Sequence, residues 1–136
     1  MKKRILIIED DESVRVALLR LLNGIFTATS AYSGEQALDL LNAGAKFDLI
    51  LSDNDLHESG GKIKGVEFFQ KVKEDNLSAG AKLVLMSGGG ISADEVKQAE
   101  EGLGITFLPK PFHPVLQTIN QLLGDGIEEP VGQSER

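Results

Sequence analysis

Phe47-Asp48-Leu49-Ile50-Leu51-Ser52-Asp53-Asn54-Asp55-Leu56 is an apolar run of strand length that ends in carboxylates. Leu49, Ile50 and Leu51 are consecutive rather than alternating apolar residues, the pattern of a strand covered on both faces of a parallel sheet. Asp53 stands where such a strand leaves the sheet, and in open α/β folds ligands bind along that edge. The chain on either side decides whether this acid solvates a loop or does chemistry.

Upstream, Ile5–Ile8 is a first buried strand closed by Glu9-Asp10-Asp11-Glu12. Asp11 or Ser13 can cap the next helix, whose apolar face is expected from Val14, Ala17, Leu18, Leu21 and Leu22 at a 3.6-residue period. Asn23-Gly24 ends it. Phe26–Ala31 is a weaker second strand. Ser33 with Gln36 then forms a capping box for a helix carrying Ala37, Leu38 and Leu41, which stops near Gly44.

Downstream, a polar loop over 57–64 leads to a helix from Gly65 to about Glu74, with Val66, Phe69 and Val72 inward. Lys82–Met86 is a fourth strand. Ser92 and Glu95 box the start of a helix that runs to about Glu101. Ile105–Leu108 is a fifth strand, followed by Pro109-Lys110-Pro111. Pro114 suits the first turn of a last helix with Val115, Leu116, Ile119, Leu122 and Leu123 on its apolar face. Five strand–helix alternations give a doubly wound α/β fold, (βα)5, over residues 1–123, with 124–136 expected as a mobile tail.

Composition agrees with one soluble domain: 136 residues, 41% hydrophobic and 26% charged. A net charge of -7 argues against direct nucleic-acid or anionic-membrane binding, which need excess Lys and Arg. No cysteine is present, so disulfides, thiolate metal sites and cysteine nucleophiles are excluded. The apolar stretch after Met1-Lys2-Lys3-Arg4 is only four residues long before Glu9, too short for a signal-peptide core or a membrane span. A cytoplasmic location is the simplest expectation.

Right-handed crossovers keep the strands parallel, so their C-terminal ends share one edge. Glu9 and Asp10, Asp53 and Asp55, Ser87, and Lys110 follow four different strands and meet there. Carboxylates this close repel by about 4 kcal/mol per pair at ~4 Å and an effective dielectric of ~20. A divalent cation offsets that cost, and an oxygen-only donor set suits Mg²⁺ or Mn²⁺ rather than zinc. A carboxylate beside such an ion is a competent nucleophile toward phosphorus. Lys110, the Ser87 hydroxyl and the Gly88 backbone N–H are donors for the resulting phosphoryl oxygens. Singly, each has a plainer reading: acids at a helix start favour the macrodipole, and Ser87 and Lys110 can be ordinary loop residues. Their convergence carries the argument.

At this point the chain resembles the receiver domains of two-component response regulators over about residues 4–123. The resemblance rests on Ile5-Leu6-Ile7-Ile8-Glu9-Asp10-Asp11, on Phe47 to Asp53, on Leu83-Val84-Leu85-Met86-Ser87-Gly88, and on Phe107-Leu108-Pro109-Lys110-Pro111-Phe112. It implies a flavodoxin-like sheet in the order 2-1-3-4-5. It also implies Asp53 as phosphoacceptor, Asp10 and Asp53 as direct Mg²⁺ ligands, Glu9 acting through water and Asp55 lending its backbone carbonyl. Ser87, Gly88 and Lys110 match the groups that contact the phosphoryl group, and Phe107 matches the aromatic switch position. The partners implied are a sensor histidine kinase or histidine phosphotransfer protein, and a downstream protein or an output domain outside this sequence. A homodimer through the fourth helix, fifth strand and fifth helix is a further implication.

Two departures stand out. His57 occupies a position where the family usually has proline, and the loop to Gly65 is longer than usual. Asp55 adds a carboxylate two residues past the acceptor, so Asp55 and His57 are candidates for tuning phosphoryl lifetime or partner choice. Two other functions fit parts of the pattern. Asp53-Asn54-Asp55 resembles the nucleophile motif of haloacid-dehalogenase-type phosphatases, although the order of the other groups does not. A receiver-like module that binds partners without phosphorylation is the second.

Overall fold

The computed structural model describes residues 2–54, 64–87, 92–109 and 115–123. Strands β1 (Arg4–Ile8), β2 (Thr27–Ala31), β3 (Leu49–Asp53), β4 (Lys82–Ser87) and β5 (Ile105–Pro109) alternate with helices α1 (Glu12–Leu22), α2 (Gly34–Asn42), α3 (Gly65–Glu74), α4 (Ala93–Leu103) and α5 (Val115–Leu123). The five strands form one sheet in the order β2-β1-β3-β4-β5, and every pair is parallel. The expected flavodoxin-like topology is therefore present. Among the described residues no helix is long and apolar enough to cross a membrane.

The period-2 alternation of the strands divides the core in two. Ile5, Ile7, Leu49, Leu51, Val84 and Met86 face α1 and α5, where Leu18, Leu22, Val115 and Ile119 close the layer. Leu6, Ile8, Ile50, Leu83, Leu85 and Ile105 face α2, α3 and α4 and meet Ala37, Leu41, Phe68, Phe69, Val72 and Ala99. Each fully buried Leu, Ile or Phe contributes about 1.5–3 kcal/mol relative to exposure. The central strands β1 and β3 are buried along almost their full length, which accounts for their unbroken apolar runs.

Several local expectations are corrected. Leu21 is 44% exposed and Ala17 is also outward, so α1 packs through Val14, Leu18 and Leu22 with Leu19 beside them. Its stripe is rotated toward residue 19, because one helix on a sheet needs a narrower face than the period alone suggests. Phe68 is fully buried next to Phe69, their ring centroids 5.4 Å apart, while Val66 is only partly covered. Ser33 does cap α2 by accepting from Gln36 N at 3.0 Å. Gln36, however, accepts from Tyr32 N at 2.8 Å, one residue before the position a capping box requires. The Ser92–Glu95 box of α4 is reciprocal as expected, and that helix runs on to Leu103, where Gly104 adopts φ +69°.

Candidate functional site

The acid run after β1 divides its labour. Asp11 is the N-cap of α1: its Oδ1 accepts from Ser13 N at 2.9 Å, Ser13 Oγ at 2.7 Å and Val14 N at 3.2 Å. Glu12 lies in the first turn, where the helix dipole favours an acid. These two follow the plain reading of the run. Glu9 and Asp10 do not. Glu9 N donates to Ala31 O at 3.1 Å, which ties the residue to the end of β2. Glu9 Oε2 accepts from Asp11 N at 3.1 Å, and Arg15 Nη1 donates to the Glu9 carbonyl at 2.9 Å. Glu9 is thus only 1% exposed, its backbone held on two sides and its carboxylate by the Asp11 N–H. Asp10 is half-buried beside it.

Asp53 is the last residue of β3 and 2% exposed. Ser52 Oγ donates to the Asp53 carbonyl at 3.0 Å. Beyond it, Asn54 N donates to Met86 O at 2.8 Å, and Asn54 O accepts from Gly65 N at 3.1 Å. Carboxylate oxygens of Glu9, Asp10 and Asp53 all lie within 4.8 Å of one another. Three hard, anionic oxygen donors at that spacing fit Mg²⁺ or Mn²⁺, which take carboxylates together with water and phosphate oxygens.

Ser87 ends β4, one step past Met86, the ladder partner of Asp53. It is 1% exposed, part of the strand rather than of the loop that follows. Phe107 pairs with Leu85 and is partly buried against the α2–α4 layer, while Ser87 pairs with Pro109. Strand alternation puts Ser87 and Phe107 on the same face of the sheet, two residues apart along the ladder. The structure therefore brings Glu9, Asp10 and Asp53 together, with Ser87 at the same edge and Phe107 deeper on the α2–α4 side. Asp55, His57, Gly88 and Lys110 lie outside the described residues.

Two contributors escape a reading by motif. Arg15 places a guanidinium on the backbone of the acid run, but its spacing from Glu9 looks like any arginine on an exposed helix flank. Gly65 reads only as a helix boundary. Its contact with the end of β3, through Asn54 O, exists in three dimensions alone.

An open, doubly wound α/β sheet with three carboxylates and a buried serine at the C-terminal edge of its strands is of the flavodoxin-like class. Residues 5–120 match the response regulator receiver domain family, and this chain belongs to it. It is 33% identical over 107 residues to the rice two-component response regulator ORR5, covering 77% of this chain and 76% of that one. The phosphate regulon transcriptional regulatory protein PhoB of Escherichia coli is 31% identical over 116 residues, 84% of this chain but 48% of PhoB. Among solved structures, the signal receiver domain of an HD domain-containing protein from Pseudomonas fluorescens superposes with a TM-score of 0.77 at 22% identity, covering 93% and 98% of the two chains. The chemotaxis response regulator CheY4 of Vibrio cholerae gives 0.74 at 24% identity, with 90% and 99% covered. These two likenesses concern the fold.

Proposed function

We propose that this receiver domain takes a phosphoryl group onto Asp53 from the phosphohistidine of a sensor histidine kinase or a histidine phosphotransfer protein. The observation that carries this reading is the packing of the Glu9, Asp10 and Asp53 carboxylate oxygens within 4.8 Å, two of the three residues being buried. Such a cluster is costly unless it serves a cation and an incoming phosphate.

In the transfer, an Asp53 carboxylate oxygen forms a bond to phosphorus as the phosphorus–nitrogen bond of the donor breaks. The electron pair returns to the imidazole nitrogen, which takes up a proton, and the product is an acyl phosphate. Mg²⁺, when bound, neutralises the acids and polarises the phosphoryl oxygens. Asp10 and Asp53 would hold the ion directly, Glu9 would act through water, and Asp55 would lend its backbone carbonyl. The Arg15 and Asp11 hydrogen bonds hold Glu9 in place for that role. Ser87, the Gly88 N–H and Lys110 then hold the phosphoryl oxygens. Phosphorylation adds about -1.5 to -2 charges and three acceptor oxygens. Drawing the Ser87 hydroxyl toward them frees space on the face it shares with Phe107, and movement of Phe107 alters a protein-binding surface. Asp55 and His57 tune how long the acyl phosphate lasts or which partner is chosen. The output is a signal passed to a partner protein or output domain rather than a released product.

Acetyl phosphate with Mg²⁺ should label the wild-type chain on one residue, and Asp53→Asn should abolish the label. A wild type that stays unlabelled even with a competent kinase makes the chain a phosphorylation-independent binding module. Sustained turnover of p-nitrophenyl phosphate makes it a phosphatase.

A further inference from the structure

Helix α3 begins unusually close to the acceptor. Gly65, its first residue, is buried and donates its N–H to Asn54 O at 3.1 Å. A Cβ at this position would lie 2.6 Å from the Asp53 carbonyl oxygen, 2.7 Å from Leu85 Cδ1 and 3.0 Å from Asn54 Cα. Two of those three atoms are backbone, of the phosphoacceptor and of the residue after it. Asp53 O is also the acceptor for Ser52 Oγ, so its position is already set from the strand side.

We infer that Gly65 is a positioning residue for Asp53: the bare Cα lets α3 close on the Asp53–Asn54 backbone, and that contact fixes the carboxylate. This rests on Asp53 being the phosphoacceptor. The helix cannot simply retreat from an added methyl group. Phe68 and Phe69 in its next turn are fully buried against the sheet, and Val72 a turn further on is nearly so. Asn54 is held on its other side by Met86 O. The yielding parts are therefore the Leu85 side-chain tip and the Asp53–Asn54 peptide. Leu85 can change rotamer, whereas a shift of the peptide moves the Asp53 carboxylate relative to Glu9 and Asp10. A displacement on the order of 1 Å at a reacting group costs about 100-fold in rate. Glycine is needed here for space rather than for its backbone freedom.

Separating the two clashes tests this. Leu85→Val removes the Cδ1 contact while leaving the backbone contacts, and the Leu85 side chain has no role in binding or transfer, although its strand pairs with Phe107. Four chains are compared: wild type, Gly65→Ala, Leu85→Val and the double variant. For each, melting temperature, Mg²⁺ affinity by calorimetry and the rate of labelling by acetyl phosphate are measured. Leu85→Val should label as wild type does. The double variant should recover melting temperature relative to Gly65→Ala yet remain about 10- to 100-fold slower in labelling, with weakened Mg²⁺ binding. Recovery of labelling and Mg²⁺ affinity together with melting temperature would show that Gly65 serves packing alone and overturn the inference. Wild-type labelling rate and Mg²⁺ affinity in a folded Gly65→Ala would overturn it as well. If Gly65→Ala does not fold, the double variant against Leu85→Val decides by the same two readouts. Failure of the wild type to label would instead count against the phosphoacceptor reading, so the two failures are distinct.

Discussion

The two edges of the sheet are built on opposite principles. At the N-terminal edge, polar groups are tied to one another. Arg4 N donates to Asp48 Oδ2 and Asp48 N donates to Arg4 O, each at 2.8 Å. Lys82 N donates to Asp48 O at 3.0 Å, joining the β4 end to the same residue. Ser78 Oγ accepts from Phe47 N at 2.8 Å and donates to Phe47 O at 3.0 Å. The Arg4 guanidinium lies 5.1 Å from the Phe47 ring centroid, a cation–π contact. At the C-terminal edge, oxygens of three carboxyl groups converge within 4.8 Å instead. One edge is arranged for stability. The other gathers acidic groups that repel one another when ionised, the kind of departure from local stability rules expected at a functional site.

Substitutions at each edge should separate stability from labelling. The largest effect is expected at Phe47, whose ring is buried at the N-terminal edge. Phe47→Ala should lower stability by about 3–5 kcal/mol in urea titration, while the folded fraction still labels at the wild-type rate. Next comes Ser78→Ala, which leaves the buried Phe47 N–H without its acceptor. A loss of about 1–3 kcal/mol is expected, again with labelling unchanged. A change in labelling from either variant would mean that the two edges are not separable.

The smallest expected effect lies at the start of α4, where an acid near the C-terminal edge is tied off. Ser92 Oγ accepts from Glu95 N at 3.2 Å, and Glu95 Oε1 accepts from Ser92 N at 3.0 Å. Ser92→Ala should cost about 0.5–2 kcal/mol. Hydrogen bonds from the Ser92 backbone N–H and then its hydroxyl hold the Glu95 carboxyl below its ordinary value of 4.5. A carboxyl depressed on folding stabilises above its unfolded value, and that contribution fades as pH falls through the folded one. Glu95→Gln should therefore flatten the stability–pH curve slightly below pH ~4.5, and leave it unchanged near neutrality apart from the lost charge.

The strands and the strand-end acids were legible because period and position encode them directly. Short unbroken apolar runs alternating with helical periods point to buried parallel strands, and parallel topology then brings Glu9, Asp10, Asp53 and Ser87 to one edge. What stayed hidden depends on neighbours remote in sequence. Ser78 is one polar residue in a turn until Phe47, 31 positions away, presents both backbone groups to it. Gly65 looks like a boundary until α3 is docked by Phe68, itself overlooked because Val66, Phe69 and Val72 already satisfied a helical period. Arg15 shows the same limit, since its partner is a carbonyl that has no side-chain signature.

The proposed role of the Glu9–Asp10–Asp53 cluster is to hold a divalent cation around Asp53. Thermal unfolding of wild type and Asp53→Asn, each with and without Mg²⁺, tests it most directly. At a Mg²⁺ concentration ten times its dissociation constant, the wild type should gain about 1.4 kcal/mol. Asp53→Asn should gain little, and without Mg²⁺ it should melt above the wild type because one member of the like-charged set is gone. Equal Mg²⁺ stabilisation of both chains, with the variant melting below wild type in its absence, would contradict the account.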